Sequence, residues 1–257
     1  MNNSCIPIYV INLEDNKPRL DDVTQQLDAL NLPFERIDAV AGKKLSADQI
    51  AQIYDKNANK SLHHRNLTVG EIGCYLSHRK IWQKMVDNQI ERVLVLEDDI
   101  HVQPSLVECI KLVGTATGWD VLKIADFENV TPAASQTLNE DFQLVSYNKV
   151  PNRTMGYFIT LAAAKKMLRR NKIYRPVDVD FQFYSDFGIS VCGLRPNCID
   201  VSPQFGLEEN SDIAKQNKGE HHNHSTFFRN LKYRYQLYKK RQTESYSLEQ
   251  FELNQNA

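Results

Sequence analysis

At 257 residues, 42% hydrophobic and 25% charged, the chain has ordinary globular composition and length for one large domain with a sizeable core. A formal net charge of −1 excludes a general polyanion binder, and no stretch approaches the ~18 consecutive apolar residues of a membrane span. Cys5, Cys74, Cys109, Cys192 and Cys198 have no CxxC spacing and are expected as reduced thiols, and the opening MNNSCIPIYVINL lacks a basic leader, so a cytosolic chain is expected.

In chain order, IPIYVINL (6–13) is a β-branched run that predicts a buried strand. Residues 17–30 set Leu20, Val23, Leu27 and Leu30 at helical spacing, and Pro33 ends that unit. PFERIDAV (33–40) predicts a second strand, Ala41-Gly42 a turn, and Ser46 the start of a short helix. KNANKSLHHRN (56–66) is polar and reads as a loop. Thr68 and Glu71 fit a capping box that opens a helix carrying Ile72, Leu76, Ile81, Met85 and Val86. A strand over residues 93–96 then runs straight into Glu97-Asp98-Asp99. Pro104 starts another helix, and WDVLKIAD (119–126) reads as a strand. RTMGYFITL (153–161) is a further strand that feeds the strong helix former AAAKKMLRR. PVDVDFQFYSDFG follows, and ISVCGLRPNCIDV predicts two short strands around a turn. Strands alternating with helices predict an α/β fold with a mainly parallel sheet, whose ligands bind at the carboxyl ends of the strands.

The segment STFFRNLKYRYQLYKKR (225–241) differs from the rest. Phe228, Leu231, Tyr235 and Tyr238 share one helical face, among Arg229, Lys232, Arg234, Lys239, Lys240 and Arg241 and no acid. Removing these six cations takes the formal charge from −1 to about −7. A basic, aromatic, amphipathic helix suits an anionic membrane surface. The same pattern also fits a helix packed on the body with a solvated basic face. No base-reading motif accompanies it, so no nucleic-acid partner is expected.

Three adjacent carboxylates repel one another and call for water or a cation. Mg2+ and Mn2+ suit carboxylate oxygens and usually complete their shell with substrate phosphates. The triplet at a strand end therefore points to a metal and a phosphorylated ligand, the alternative being an acidic turn satisfied by water. His63-His64 reads as a solvated loop pair, His78 as a helical residue facing either a site or the core. The run His221-His222-Asn223-His224 resembles a metal cluster but has no Cys or Asp beside it. No GxSxG, GxxxxGK[ST] or GxGxxG is present. A phosphohydrolase with a strand-end Asp nucleophile stays open.

Six stretches occur in a fixed order: IYVINLEDNKPR (8–19), FERIDAVAG (34–42), GEIGCYLSHRKIW (70–82), VLVLEDDI (93–100), MGYFITLAAAKKML (155–168) and PVDVDF (176–181). Over about residues 5–215 the chain resembles glycosyltransferase family 25, the bacterial lipooligosaccharide galactosyltransferases. The resemblance implies a GT-A-like nucleotide-sugar-binding domain over residues 1–215, followed by a basic amphipathic helical tail over 216–257. It implies inverting transfer of galactose from UDP-galactose to a lipid-linked oligosaccharide acceptor in lipopolysaccharide biosynthesis, commonly in a β-1,4 linkage, with Mn2+ (or Mg2+). Asp99 would hold the metal, with Glu97 and Asp98 near the ribose or donor sugar. Asn12, Leu13 and Arg19 match the nucleotide-binding start, and the Arg19 fork suits a diphosphate. Asp38 and Ala39 would edge the uracil, and Glu71, Ser77 and His78 would flank the donor.

Asp178, preferred because it matches the family's Asp after Pro and an aliphatic residue, and Asp180 are the choices for the general base. The two carboxylates share a face if the segment is a strand and diverge if it is a helix. Gly156 and Tyr157 would shape the acceptor side, and Ser211-Asp212-Ile213 a site-edge loop. The tail would hold a cytoplasmic, peripheral enzyme at the inner face of the inner membrane through residues 225–241. A nucleotide-sugar-binding module without turnover is the non-enzymatic alternative.

Overall fold

The computed structural model describes residues 6–126, 130–205, 224–243 and 247–254, and within 224–243 the side chains of 229–240. Ser211-Asp212-Ile213, Cys5 and the first three residues of the His221–His224 run lie outside the described residues.

The β-branched stretches form the centre of the molecule. Strands β1 (Ile8–Asn12) and β3 (Arg92–Glu97) lie side by side and parallel, with β2 (Glu35–Asp38) parallel on the outer side of β1. Beyond β3 the sheet continues through β9 (Gly156–Thr160), β6 (Val121–Lys123), β10 (Val191–Arg195), β8 (Gln143–Tyr147) and β7 (Pro132–Thr137). β6 and β10 are parallel; β9 and β8 run antiparallel to both of their neighbours. Six of the eight strands therefore point the same way, and β9 and β8 are the two reversed ones. Two small ribbons pair β4 (Ile100–Val102) with β11 (Ile199–Val201) and β5 (Ala116–Thr117) with β12 (Glu252–Leu253).

Both sheet faces are covered, so β1 and β3 are apolar on both sides. Ile8, Val10, Leu94 and Leu96 join a core under α1 (Lys17–Ala29) and α5 (Leu106–Thr115). Tyr9, Ile11, Val93 and Val95 alternate to the other face. There they meet α4 (Val69–Asp87), α6 (Leu161–Leu168) and α7 (Val177–Gln182). Each such fully buried aliphatic side chain contributes roughly 1.5–3 kcal/mol, which fixes the strand register on which the site depends.

Local chemistry sets the helix starts. Thr68 and Glu71 form the expected capping box: the Thr68 hydroxyl accepts from the Glu71 amide and the Glu71 carboxylate accepts from the Thr68 amide. Ser46 and Gln49 cap α2 (Ala47–Ile53) in the same way.

The polar stretch 56–66 is not all loop. Its first part forms α3 (Lys56–Leu62), because Asp55 caps the Asn57 and Ala58 amides and buried Asn59 donates to the carbonyls of Arg65 and Tyr174. A cap and one buried amide replace the apolar stripe that helix recognition depends on. Strands β7 and β8 are also additions to the sequence reading. The segment holding Asp178 and Asp180 is the helix α7, which sends their carboxylates in different directions.

Helix α8 (His224–Thr243) docks through Leu237, which packs with Val179 and Phe183, and through Lys240, which donates to Asp186 at 2.7 Å. The chain then returns to the body: Phe251 is buried in the core and β12 pairs with β5. The described part of the 216–257 tail is thus continuous with the packing of the main domain.

Candidate functional site

The acid triplet ends β3 where that strand lies against β1, with Ile11 opposite Glu97. A cavity of about 450 Å3 opens there. Its walls are the ends of β1 and β3, the loop 39–44 after β2, and the N-terminal half of α4. Leu13, Arg19, Ala39, Ser77, His78, Glu97, Asp98 and Asp99 all line it.

Two glycines bring the loop this close. A Cβ on Gly73 would lie 2.3 Å from the Val40 carbonyl oxygen, and one on Gly42 would lie 1.7 Å from that of Val69. The Ser77 hydroxyl then ties the two elements together, accepting from the Val40 amide and donating to the Gly73 carbonyl, both at 2.8 Å. Ser77 thus shapes the wall through its hydrogen bonds.

The three acids have different neighbours. Asp98 is buried, accepts from the Asn12 amide at 2.6 Å and from Arg19 at 3.3 Å, and Asn12 is itself held by Arg36. Burial raises the Asp98 carboxyl while Asn12 and Arg19 pull it down, with the net shift upward. Glu97 accepts from the Thr154 hydroxyl at 2.6 Å, and His78 Nε2 lies 3.5 Å away. Burial pushes Glu97 up, but His78 and Thr154 outweigh it and hold the carboxyl low. The His78 ring is set by the Tyr157 hydroxyl at Nδ1 (2.9 Å), to which the Trp82 indole donates at 3.2 Å.

Asp99 is the least satisfied of the three. Its Oδ1 is buried with no hydrogen-bond partner among the described residues, and Arg19 is 3.7 Å from Oδ2. Burial, then the Glu97 charge, push its carboxyl up to about 7. An orphaned buried oxygen within a group of carboxylates is the arrangement a divalent cation relieves. Asp99 therefore offers one ligand oxygen to a hard metal ion, while among the described residues the potential ligand atoms that lie within 4.8 Å of one another are those of Cys74, His78 and Glu97.

The remaining site residues named from sequence lie elsewhere. Asp38 is exposed at the sheet edge, paired to Arg36 at 2.6 Å, outside the cavity lining. Glu71 caps α4, pairs with Arg65, and faces a second cavity. Gly156 points into the apolar core, where a Cβ would meet Ile199 and Ile124 at 3.1 and 3.2 Å. Tyr157 is fully buried with its hydroxyl committed to His78 and Trp82. Neither faces an open acceptor surface, because β9 is an interior strand with both faces covered.

Asp180 is fully buried, bonded by the Tyr75 hydroxyl at 2.7 Å and by Arg170 at 2.5 Å, with Arg175 at 3.7 Å. This is a closed ion-pair cluster. Asp178, on another side of α7, lines the second cavity, of about 730 Å3, together with Glu71. Its carboxylate accepts from the amides of Arg153 (3.1 Å) and Val179 (2.8 Å), and burial raises its pKa.

Three further residues belong to the arrangement and escape sequence reading. Buried Lys123 at the end of β6 donates to the carbonyls of Pro151, Asn152 and Arg153, fixing the loop whose amide holds Asp178. Thr154 bridges Glu97 and His78. Cys74 lines the first cavity, about one turn along α4 from Glu71 of the second, and burial, then the charges of Glu97, Asp178, Glu71 and Asp99, push its thiol up. No motif marks them; only the alternation that makes Lys123 an odd charge in WDVLKIAD offers a signal.

Comparison with known proteins adds relatives to this geometry. The family model described as "Glycosyltransferase family 25 (LPS biosynthesis protein)" matches residues 5–183. A "Glycosyltransferase 25 family member" of Aedes aegypti is 35% identical over 188 residues, covering 67% of this chain and 29% of that protein. One from Anopheles gambiae is 33% identical, covering 67% and 30%. The human "Procollagen galactosyltransferase 2" is 27% identical, covering 67% and 29%. The chain thus spans under a third of the length of the relatives it matches. A solved glycosyltransferase involved in glycosylation of the major capsid of PBCV-1 is 14% identical, with a TM-score of 0.33 over 65% of this chain and 66% of that one.

Proposed function

The chain belongs to glycosyltransferase family 25, and from that premise we propose that it transfers galactose from UDP-galactose to a saccharide acceptor with inversion. The observation that carries the reading is the convergence of Glu97, Asp98 and the unsatisfied Asp99 with Arg19 in one strand-end cavity. UDP occupies that cavity, with its diphosphate beside Arg19 and the uracil toward Ala39. Asp99, with Glu97 and Asp98 beside it, would hold Mn2+ or Mg2+, which when bound would supply positive charge against the leaving diphosphate.

The chain's own residues do the rest. Arg19 is preorganised by Asp98 and Asp99 and offers a planar fork to phosphate oxygens. Glu97, kept ionised by His78 and Thr154, faces the same cavity as an acceptor for sugar hydroxyls. Asp178 takes the proton from the attacking acceptor hydroxyl as that oxygen bonds to the anomeric carbon. Burial raises its pKa, which makes it a stronger base than an exposed carboxylate. Asp180 is a structural residue in this reading. Galactose as the donor sugar has the support of the relatives named for galactosyl transfer.

The acceptor is a saccharide of a lipid-linked oligosaccharide, joined through a β-1,4 linkage, and the enzyme works at an anionic membrane surface. What supports this is α8, whose Leu231, Tyr235 and Tyr238 are 58%, 57% and 57% exposed among lysines and arginines. No described helix is long and apolar enough to cross a membrane.

The test is UDP release from a panel of UDP-sugars, with and without Mn2+, adding lactose- and N-acetylglucosamine-terminated acceptors. Turnover is expected with UDP-galactose, metal and acceptor together, and lost in Asp99→Ala. Binding of UDP without turnover of any donor would replace the enzyme with a nucleotide-sugar-binding module.

A further inference from the structure

The second cavity lies between α7, the α3–α4 connection and α8, and it is lined by groups that the donor site leaves unused. His63 is 2% exposed, and neither of its ring nitrogens has a hydrogen-bond partner among the described residues. The Nδ1 of His64 is likewise buried and unpartnered. Both rings line the cavity and pack edge-on or tilted against Tyr233 of α8 at its wall, with centroids 4.3 Å apart for the two histidines and 5.3 and 4.9 Å from each to Tyr233. Both ring nitrogens of His63 and the Nδ1 of half-buried His64 cost free energy when left dry and unpaired. Burial and the arginines around them keep both uncharged, His63 well below the usual range and His64 at about 4.

A neutral ring nitrogen pair matches a ligand whose groups both donate and accept, which is the property of a hydroxyl. An aromatic face beside such pairs suits the flat apolar side of a sugar ring. Asp178 lines the same cavity, and on α4 Glu71 of this cavity sits between Gly70 and Cys74 of the donor cavity, so the two are neighbours across one helix turn. We propose that this second cavity is the acceptor-saccharide site, with His63 and His64 pairing acceptor hydroxyls and Tyr233 of α8 packing on the sugar ring. The inference rests on the transferase reading above and adds to it where the acceptor lies. Helix α8 then has two faces: an inner one that closes the acceptor site and an outer one that carries the exposed tyrosines.

The experiment is histidine-side-chain NMR of the full chain, titrated separately with lactose, N-acetylglucosamine and UDP, with resonances assigned through His63→Gln and His64→Gln. Millimolar saccharide is expected to move the His63 and His64 signals, and UDP to move His78. In Tyr233→Ala the saccharide response should weaken about tenfold in affinity while the UDP response stays within about twofold. Saccharides that leave His63 and His64 unmoved, while UDP moves His78, would overturn the acceptor site and leave the donor reading intact. The same holds if Tyr233→Ala and His64→Gln fold and bind saccharide as the parent does. Saccharide shifts at both histidines in a chain that never consumes UDP-galactose would keep the site and sink the transferase reading.

Discussion

Asp99, Asp178 and Asp180 are carboxyls whose pKa values all lie above the ordinary 3.8, raised first by burial, yet their partners give them different tasks. For Asp99 the folded value is about 7, above the unfolded one, so the protonated form favours folding. That contribution is fully present below about pH 4 and is lost as pH rises through 7. Its full size would be about 4 kcal/mol, reduced because 21% of the side chain still meets solvent. Metal-free protein should therefore lose stability between those limits, and Mn2+ should raise the melting temperature more at pH 8 than at pH 5. Asp99→Asn should abolish both effects in differential scanning fluorimetry. Asp178→Asn is expected to lower kcat by roughly 10²–10⁴-fold with UDP affinity unchanged, and the parent's rate should fall on the acid side as Asp178 protonates. Asp180→Asn should instead remove one of the two carboxylates that hold Arg170 and Arg175, Asp186 remaining as their partner, and destabilise by about 1–3 kcal/mol in denaturant unfolding. If the two substitutions gave the same phenotype, the division of roles between them would be wrong.

At the scale of elements, the strand-end cavity is a consequence of one close contact. Loop 39–44 reaches α4 only because Gly42 and Gly73 present no side chain where backbone carbonyls already sit. Gly73→Ala must push the loop away, since the obstructing atom is the Val40 carbonyl rather than a movable side chain. We expect UDP affinity to fall about tenfold or more by calorimetry, with a lower melting temperature. Gly114→Ala in α5 meets nothing within 4 Å and provides the contrast: about 0.5–1 kcal/mol more stable, with unchanged UDP binding. Thr68→Ala removes a cap from the same helix end and should cost about 1 kcal/mol. The capping box was legible in Thr68-Val69-Gly70-Glu71, because a hydroxyl and a carboxylate three residues apart are a local signal. The helix α7 was not: PVDVDF alternates like a strand, and its Val177, Val179 and Phe181 are all buried, so the alternation of apolar residues did not mark a single face.

For the whole molecule, α8 links the site to the outside. Deleting residues 225–257 would remove Leu237 and Phe251 from buried positions along with the basic face, so loss of membrane binding in that truncation would be ambiguous. Substituting exposed Leu231, Tyr235 and Tyr238 together with serine touches only the outer face. That variant should no longer sediment with anionic vesicles, should keep its unfolding free energy within about 0.5 kcal/mol of the parent's, and should retain turnover on a short soluble acceptor. Vesicle binding equal to the parent's would remove the membrane role from this helix. Tyr233 and Leu237 of α8 turn inward, as the packed-helix alternative expects, and Leu231, Tyr235 and Tyr238 turn outward, where the vesicle experiment decides the membrane alternative.

The sequence by itself determined the strand that drives into Glu97-Asp98-Asp99, the capped helix after Thr68, the α/β class and the family, because these are signals carried by residues near one another in the chain. Tertiary structure decided what depends on residues far apart. It reversed β9 between β3 and β6, which turned Gly156 and Tyr157 into core. It closed Asp180 into a cluster with Arg170 and Arg175 while leaving Asp178 open to a cavity. It buried His63, read from its polar neighbours as solvated, against a tyrosine 170 positions later in the chain. Burial and pairing are properties of what the fold brings opposite a side chain, and a charged or polar residue carries the same letter whether it ends up facing water, an ion pair or a ligand.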